Sequence, residues 1–289
     1  LAGVIGTLQA TEAIKLIKLA LTEDVGKGDV TSELLIPKKS ESIAEVLIKE
    51  AGVIAGIEIF NMVFAIIDKS IKTGFVKKDG ASVKKGEVIG YVKGNTRNIL
   101  KGERVALNLL QRMSGIATQT SNTTKKLNNK CIQIIDTRKT TPNMRVFEKM
   151  AVVAGGGANH RYGLYDMILI KDNHIEANNN ISNTLDVLKK NKSRINKKVE
   201  IEVKNIPELK IVLSKGKGLV DRIMLDNFKI SEVKKAVHLN NGIFELEISG
   251  GVHENNINKY ENIKGIHYIS IGAITHSVNS LDIALNFIT

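Results

Sequence analysis

Apolar positions along this chain follow three rhythms in turn. In residues 11–21, TEAIKLIKLAL, the residues Ile14, Leu16, Ile17, Leu19, Ala20 and Leu21 make one helical stripe apolar, with Thr11 in the place of an N-cap. Gly26 and Gly28 then stop the helix, and Asp29 to Ser32 open a new turn. From Ser42 to Tyr91 the rhythm shortens. SIAEVLIKEAGVIAG reads as two strands around Ala51-Gly52 and IEIFNMVFAIID as a helix, while Asp79-Gly80 and Lys85-Gly86 mark turns between further short strands. Residues 99–121 return to a helical period, with Val105, Leu109, Met113 and Ile116 on one side and Arg104 and Arg112 two turns apart.

After Lys130 a strand–helix alternation runs to the end. The strand candidates are IQII (132–135), MILI (167–170), VEIEV (199–203), RIMLD (222–226), IFELEIS (243–249) and IHYISI (266–271). Helical segments at 143–154, 175–190, 206–215, 229–238 and 254–259 separate them, with Pro142 and Pro207 placed at helix starts. Such alternation predicts parallel strands, and six in succession with inward charges favour a barrel over an open sheet.

In a parallel barrel the working face lies at the carboxyl ends of the strands. Those ends carry Thr137-Arg138-Lys139, Lys171, Glu202, Asp226, Ser249-Gly250-Gly251 and Gly272. Basic ends come first, acidic ends follow and glycine-rich ends close the series. Period-two alternation puts Glu200, Glu202 and Lys204 on one face of their strand. Glu202 with Asp226 suits a hard divalent cation such as Mg²⁺, and the structural alternative for these acids is an internal ion pair with Lys171 or Arg138. SGGV (249–252) and SIGA (270–273) give backbone room for a phosphate. The run Gly155-Gly156-Gly157 reads as a flexible break that delivers His160 and Arg161.

Composition narrows the partners. The formal charge of +12 is high, but aromatic residues make up only 4% and Trp is absent, so a single-strand stacking platform is not expected. The surplus lysines read as lineage bias, and neither nucleic acid nor a membrane is expected as a partner. Cys131 is the single cysteine, which excludes an internal disulfide; at the start of an apolar strand it reads as a small buried residue. A cytoplasmic location is expected, and the opening LAGVIGTLQA lacks the basic region of a signal peptide.

Seven stretches together resemble one family: EDVGKGDVTS (23–32), ERVALNLLQRMSGIAT (103–118), the block from Asp136 to His174, EVKN (202–205), MLDN (224–227), SGG (249–251) and ISIGAITHS (269–277). In this order they are similar to the quinolinate phosphoribosyltransferases, and they span nearly the whole chain. The resemblance implies an α/β fold of the type II phosphoribosyltransferases. Residues 1–115 would form an α/β sandwich completed by a C-terminal helix, 276–289, and residues 116–275 an incomplete, TIM-like α/β barrel. It implies a homodimer or higher oligomer and the conversion of quinolinate and phosphoribosyl pyrophosphate, with Mg²⁺, to nicotinate mononucleotide, pyrophosphate and carbon dioxide.

It also implies roles. Arg138, His160, Arg161 and Lys171 would hold the dicarboxylate, with Thr137 beside them and Arg104 reaching in from a partner subunit. Lys139 would lie between carboxylate and pyrophosphate. Glu202 and Asp226 would bind ribose hydroxyls and Mg²⁺, and Lys139, Lys171, Glu202 and Asp226 form the catalytic set. Ser249, Gly250 and Gly251 with Ser270, Ile271 and Gly272 would cradle the 5′-phosphate. Lys204 stands where many members carry an acid. Two other readings stay open: a molybdate-transport-associated paralogue acting on another substrate, and a basic nucleic-acid-binding protein.

Overall fold

The computed structural model describes residues 2–288, with side chains from Ala10 onward. Contacts divide the chain into two compact units. The first holds the chain up to Ser121, Thr140–Gly156 and the segment from Ile274 on; the second holds Asn122–Lys139 and Gly157–Ala273. The expected cut near residue 115 did not provide for the segment 140–156, which returns to the first unit.

The first unit opens with helix α1 (Ala2–Val25) and a short α2 (Val30–Leu35). Thr11 lies inside α1 rather than at its start, so it is not an N-cap. Gly26 ends α1 at φ +52°, in the left-handed region that favours glycine, and Asp29 caps α2 by accepting from the Ser32 amide at 3.0 Å. Then follow β1 (Glu41–Ile48), β2 (Gly52–Val53), α3 (Ile57–Ile67), β3 (Lys72–Phe75), β4 (Ser82–Val83), β5 (Val88–Asn95) and the 32-residue α4 (Thr96–Leu127). The strand β2 pairs with β4 rather than folding back on β1. Ile48, Phe60, Phe64 and Ile89 are fully buried, and Phe60 meets Phe64 and Phe75 edge-on at 5.1 and 5.3 Å.

The second unit is built on β6 (Gln133–Ile135), and the chain then returns to the first unit as α5 (Arg145–Ala154). Its remaining elements are β7 (Ile168–Ile170), α6 (Asp172–Ala177), α7 (Ile181–Lys190), β8 (Val199–Val203), α8 (Ile206–Lys215), β9 (Arg222–Asp226), α9 (Ile230–Asn240), β10 (Glu245–Ser249) and β11 (Tyr268–Ser270). These six strands pair in parallel in the order β6-β11-β10-β9-β8-β7. Every expected strand is present, and β6 and β7 remain at opposite ends of the sheet, which makes the barrel incomplete. Because all pairs are parallel, all six carboxyl ends share one edge.

The chain closes with α10 (Ala273–His276) and β12 (Ile283–Ile288). The expected C-terminal helix is therefore a strand. It pairs antiparallel with β1, Val46 opposite Leu285, and completes the sheet β12-β1-β5-β3. The main-chain groups on that edge of β1 need partners, and a strand supplies a full row of them where a helix supplies none.

Two further readings change. Cys131 is exposed, because it sits in a turn before β6, where its amide donates to Asn129 Oδ1 at 2.9 Å. Gly155 is not a flexible break. It is buried, and a Cβ there would lie 2.5 Å from the Ala117 carbonyl oxygen and 2.7 Å from Thr120 Cβ. Its role is close packing against α4.

Candidate functional site

The carboxyl edge of the parallel sheet gathers most of the expected residues. After β6, Asp136 is fully buried while Thr137 is half-buried and Arg138 and Lys139 are exposed. Thr137 Oγ1 accepts from the Lys139 amide at 3.0 Å, which tightens the turn that presents both cations. The chain beyond the glycines returns to the free edge of β6. The Ala158 amide donates to Ile134 O at 2.9 Å, and the Asp136 amide donates to Ala158 O at 3.1 Å. Asp136 Oδ1 then accepts from the His160 amide at 2.9 Å. This clamp, rather than a loose linker, fixes where His160 and Arg161 emerge.

Arg161 is partly buried. Burial, and next the nearby Arg138 cation, lower its pKa from the ordinary arginine value. Two guanidiniums that repel each other make a place where an anion relieves the strain of both. At the end of β7, Lys171 donates from Nζ to Glu202 Oε2 on β8 at 2.8 Å, and its amide donates to His174 Nδ1 at 2.9 Å. Glu202 is buried, whereas Lys171 keeps 45% of its side chain exposed, so the pair sits at the surface of the site with its cation reachable.

Asp226 ends β9 on the strand next to Glu202, held by Asn227 Nδ2 at 2.8 Å. It stands in register with Ser249 on β10. Gly250 and Gly251 follow at φ +91° and +62°, two successive left-handed residues that turn the chain away from the sheet. A Cβ on Gly250 would collide with the Asn227 side chain, while Gly251 faces open space. Ser270 ends β11 and is buried; the Ile271 amide already donates to Ile135 O at 3.0 Å, so it offers nothing to a ligand. Gly272 follows it.

Arg104 lies on α4 in the first unit, exposed. Arg112, eight residues on, is structural. It donates to buried Glu148 at 2.9 and 3.2 Å and to the carbonyls of Thr275 and Val278 at 2.6 and 3.2 Å. Lys204 points toward α6, 3.4 Å from Asp172 and 3.8 Å from Glu176, which gives the unexpected cation a local partner.

Beneath the edge lies a cluster that the strand-end reading missed. Glu200, Glu247 and His160 are buried, with Arg222 beside them. The signal was present in IFELEIS, where period-two alternation sets Glu245, Glu247 and Ser249 on one face.

The family model described as quinolinate phosphoribosyl transferase, C-terminal domain, matches residues 116–286, and its N-terminal counterpart matches residues 29–114. The chain belongs to the quinolinate phosphoribosyltransferase family. A Nicotiana tabacum protein named quinolinate phosphoribosyltransferase (decarboxylating) 2b, mitochondrial, is 44% identical over 292 residues, 95% of this chain and 82% of that protein. A Bacillus subtilis protein described as a probable nicotinate-nucleotide pyrophosphorylase (carboxylating) is 41% identical, over 94% of this chain and 92% of its own. The crystal structure of NadC from Streptococcus pyogenes superposes with a TM-score of 0.89 at 36% identity, covering 95% and 96% of the two chains. Among the described residues no helix is long and apolar enough to cross a membrane.

Proposed function

We propose that this chain transfers phosphoribosyl from phosphoribosyl pyrophosphate to quinolinate with loss of one carboxylate, yielding nicotinate mononucleotide, pyrophosphate and carbon dioxide, a step of NAD biosynthesis. The observation that carries the reading is the Lys171–Glu202 contact of 2.8 Å between β7 and β8. It joins the cationic strand ends, suited to a dicarboxylate, to the acidic ends, suited to a ribose and a metal.

Each part has a physical task. Arg138, Arg161 and Lys171, with Thr137 in the presenting turn, hold the two carboxylates of quinolinate and point its ring nitrogen at the anomeric carbon; His160, buried with Nδ1 on the Arg161 amide and Nε2 on Glu200, backs Arg161 rather than touching the acid. Lys139 lies between that group and the pyrophosphate. The bond from the anomeric carbon to pyrophosphate breaks as the nitrogen bonds to that carbon; positive charge grows on the ribose, and the Glu202 carboxylate stabilises it electrostatically. The ring nitrogen, now positive, accepts the electron pair released when the adjacent carboxylate leaves as carbon dioxide, and the ring carbon takes up a proton. No step needs a protein nucleophile. Ser249, Gly250, Gly251, Ser270 and Gly272 receive the 5′-phosphate, with Ile271 packing behind them.

The oxygen donors Glu202 and Asp226 on adjacent strands fit a hard divalent cation, and they would hold Mg²⁺. When bound, it would supply charge neutralisation for the departing pyrophosphate. We further place the working enzyme as a homodimer or larger homo-oligomer in the cytoplasm, with exposed Arg104 contributed to the neighbouring subunit's site. The organellar names of plant relatives make cell fractionation the check on the compartment.

Purified protein given quinolinate, phosphoribosyl pyrophosphate and Mg²⁺ is expected to form nicotinate mononucleotide and carbon dioxide in equal amounts. No product with quinolinate, or equal product without phosphoribosyl pyrophosphate, would contradict the reading. The oligomer claim is checked by mixing Arg104→Ala with Lys171→Ala protein: activity must return above that of either alone.

A further inference from the structure

The buried cluster beneath the site has a job that no step above uses. His160 Nδ1 accepts from the Arg161 amide at 2.7 Å, so that nitrogen carries no proton and the ring holds its proton on Nε2. From there it faces Glu200 Oε2 at 3.0 Å and Glu247 Oε2 at 3.5 Å. Arg222 closes the cluster from β9, 3.0 Å from Glu247 and 3.9 Å from Glu200, with its guanidinium 3.7 Å over the Tyr268 ring.

Three carboxylate and imidazole groups this close also suggest a metal. The hydrogen bonds argue against one. Ligation through Nε2 would move the proton to Nδ1, where it would oppose the Arg161 N–H at 2.7 Å. Arg222 already supplies the positive charge. The cluster is therefore internally complete in its protons and cation, although Glu200 Oε1 and Glu247 Oε1 have no hydrogen-bond partner.

We propose that Glu200, backed by Glu247 and Arg222, is a positioning residue for the dicarboxylate. It locks His160 as the Nε2–H tautomer, and His160 Nδ1 in turn pins the main chain of Arg161 and so aims its guanidinium at the substrate. This rests on the quinolinate reading for its ligand. The main chain of His160 is held separately by Asp136, whose Oδ1 accepts from the His160 amide at 2.9 Å. Main chain and ring are thus both fixed before any substrate arrives, and preorganisation of this kind lowers the cost of binding.

Two readouts test the proposal. In protein labelled with ¹⁵N-histidine, long-range ¹H–¹⁵N spectra distinguish the two tautomers, and the His160 signals are identified by their loss in His160→Gln. The Nε2–H tautomer is expected; an Nδ1–H ring, as a metal-ligating histidine would have, overturns the proposal. In steady-state kinetics Glu200→Met, which removes the acceptor at similar volume, should raise KM for quinolinate at least tenfold and leave KM for phosphoribosyl pyrophosphate within twofold. Glu200→Gln, which keeps an acceptor oxygen, should stay within threefold of wild type on both. A wild-type quinolinate KM in Glu200→Met, or an equal rise in both constants, overturns it. Should Glu200→Met fail to fold, the tautomer and the Glu200→Gln constants decide. An inactive wild type would sink the reaction assignment while leaving the spectrum to judge the lock.

Discussion

The second unit carries two layers of charge a few ångströms apart along the same strands, and they behave in opposite ways. At the carboxyl edge, Arg138 and Lys139 are exposed and Lys171 keeps nearly half its side chain open. One layer deeper, Glu200 and Glu247 are wholly buried and engaged by His160 and Arg222. Residue type alone does not separate them; depth along the strand does. Charges at the edge stay within reach of solvent and of a ligand, and charges below are shut in against one another, because an isolated buried charge is too costly to keep.

The largest effect expected from this contrast is on turnover. Arg138→Ala or Lys171→Ala should lower kcat/KM by at least about a thousandfold, about 4 kcal/mol of transition-state stabilisation, with little change in melting temperature. Ordinary rates from a well-folded variant would erase the distinction between the layers. The first unit offers the converse case in Arg112. Removing it strands Glu148, which is fully buried, and should cost about 3–5 kcal/mol in urea unfolding. A loss below about 1 kcal/mol would mean that the Glu148 carboxylate finds another partner.

The pH dependence of the deep layer comes next. Burial, and then repulsion from Glu200, push the Glu247 carboxyl up to about 8 from an ordinary 4.5. The folded state thus holds a proton that the unfolded chain releases, so this group's contribution to stability is lost as pH rises from about 4.5 through about 8. Glu247→Gln cannot titrate and should gain on wild type between pH 5 and pH 8 by on the order of 1 kcal/mol or more. Urea midpoints at the two pH values check this, and a gain toward low pH would reverse the sign. The smallest effect is expected from Lys204→Ala. Its contacts with Asp172 and Glu176 are solvent-exposed, and the loss should stay within about 1 kcal/mol.

Much of the barrel was legible because parallel strands covered on both faces read as short apolar runs, and their ends fall where polarity resumes. That is why Lys171, Glu202 and Asp226 were found at the termini of β7, β8 and β9. What escaped depends on partners distant in sequence. The segment Ile283–Ile288 becomes a strand because β1, more than two hundred residues earlier, lacks a neighbour on one side. Gly155 looks like a hinge until α4 is packed against it. Glu247 looks like one more polar position on an alternating strand, and only the fold places His160 and Arg222 around it. Glu200 and Glu202 share a strand face, yet one is part of the support and the other of the site.

The central claim is that the cationic edge reads two carboxylates, one of which is then lost. The direct measurement is a pair of assays with phosphoribosyl pyrophosphate and Mg²⁺, one given quinolinate and the other nicotinate. Nicotinate mononucleotide should form rapidly from quinolinate, with one carbon dioxide released per turnover, and at least about a thousandfold more slowly from nicotinate, which cannot engage both halves of the Arg138–Arg161–Lys171 group. Equal rates from the two acids would contradict the account.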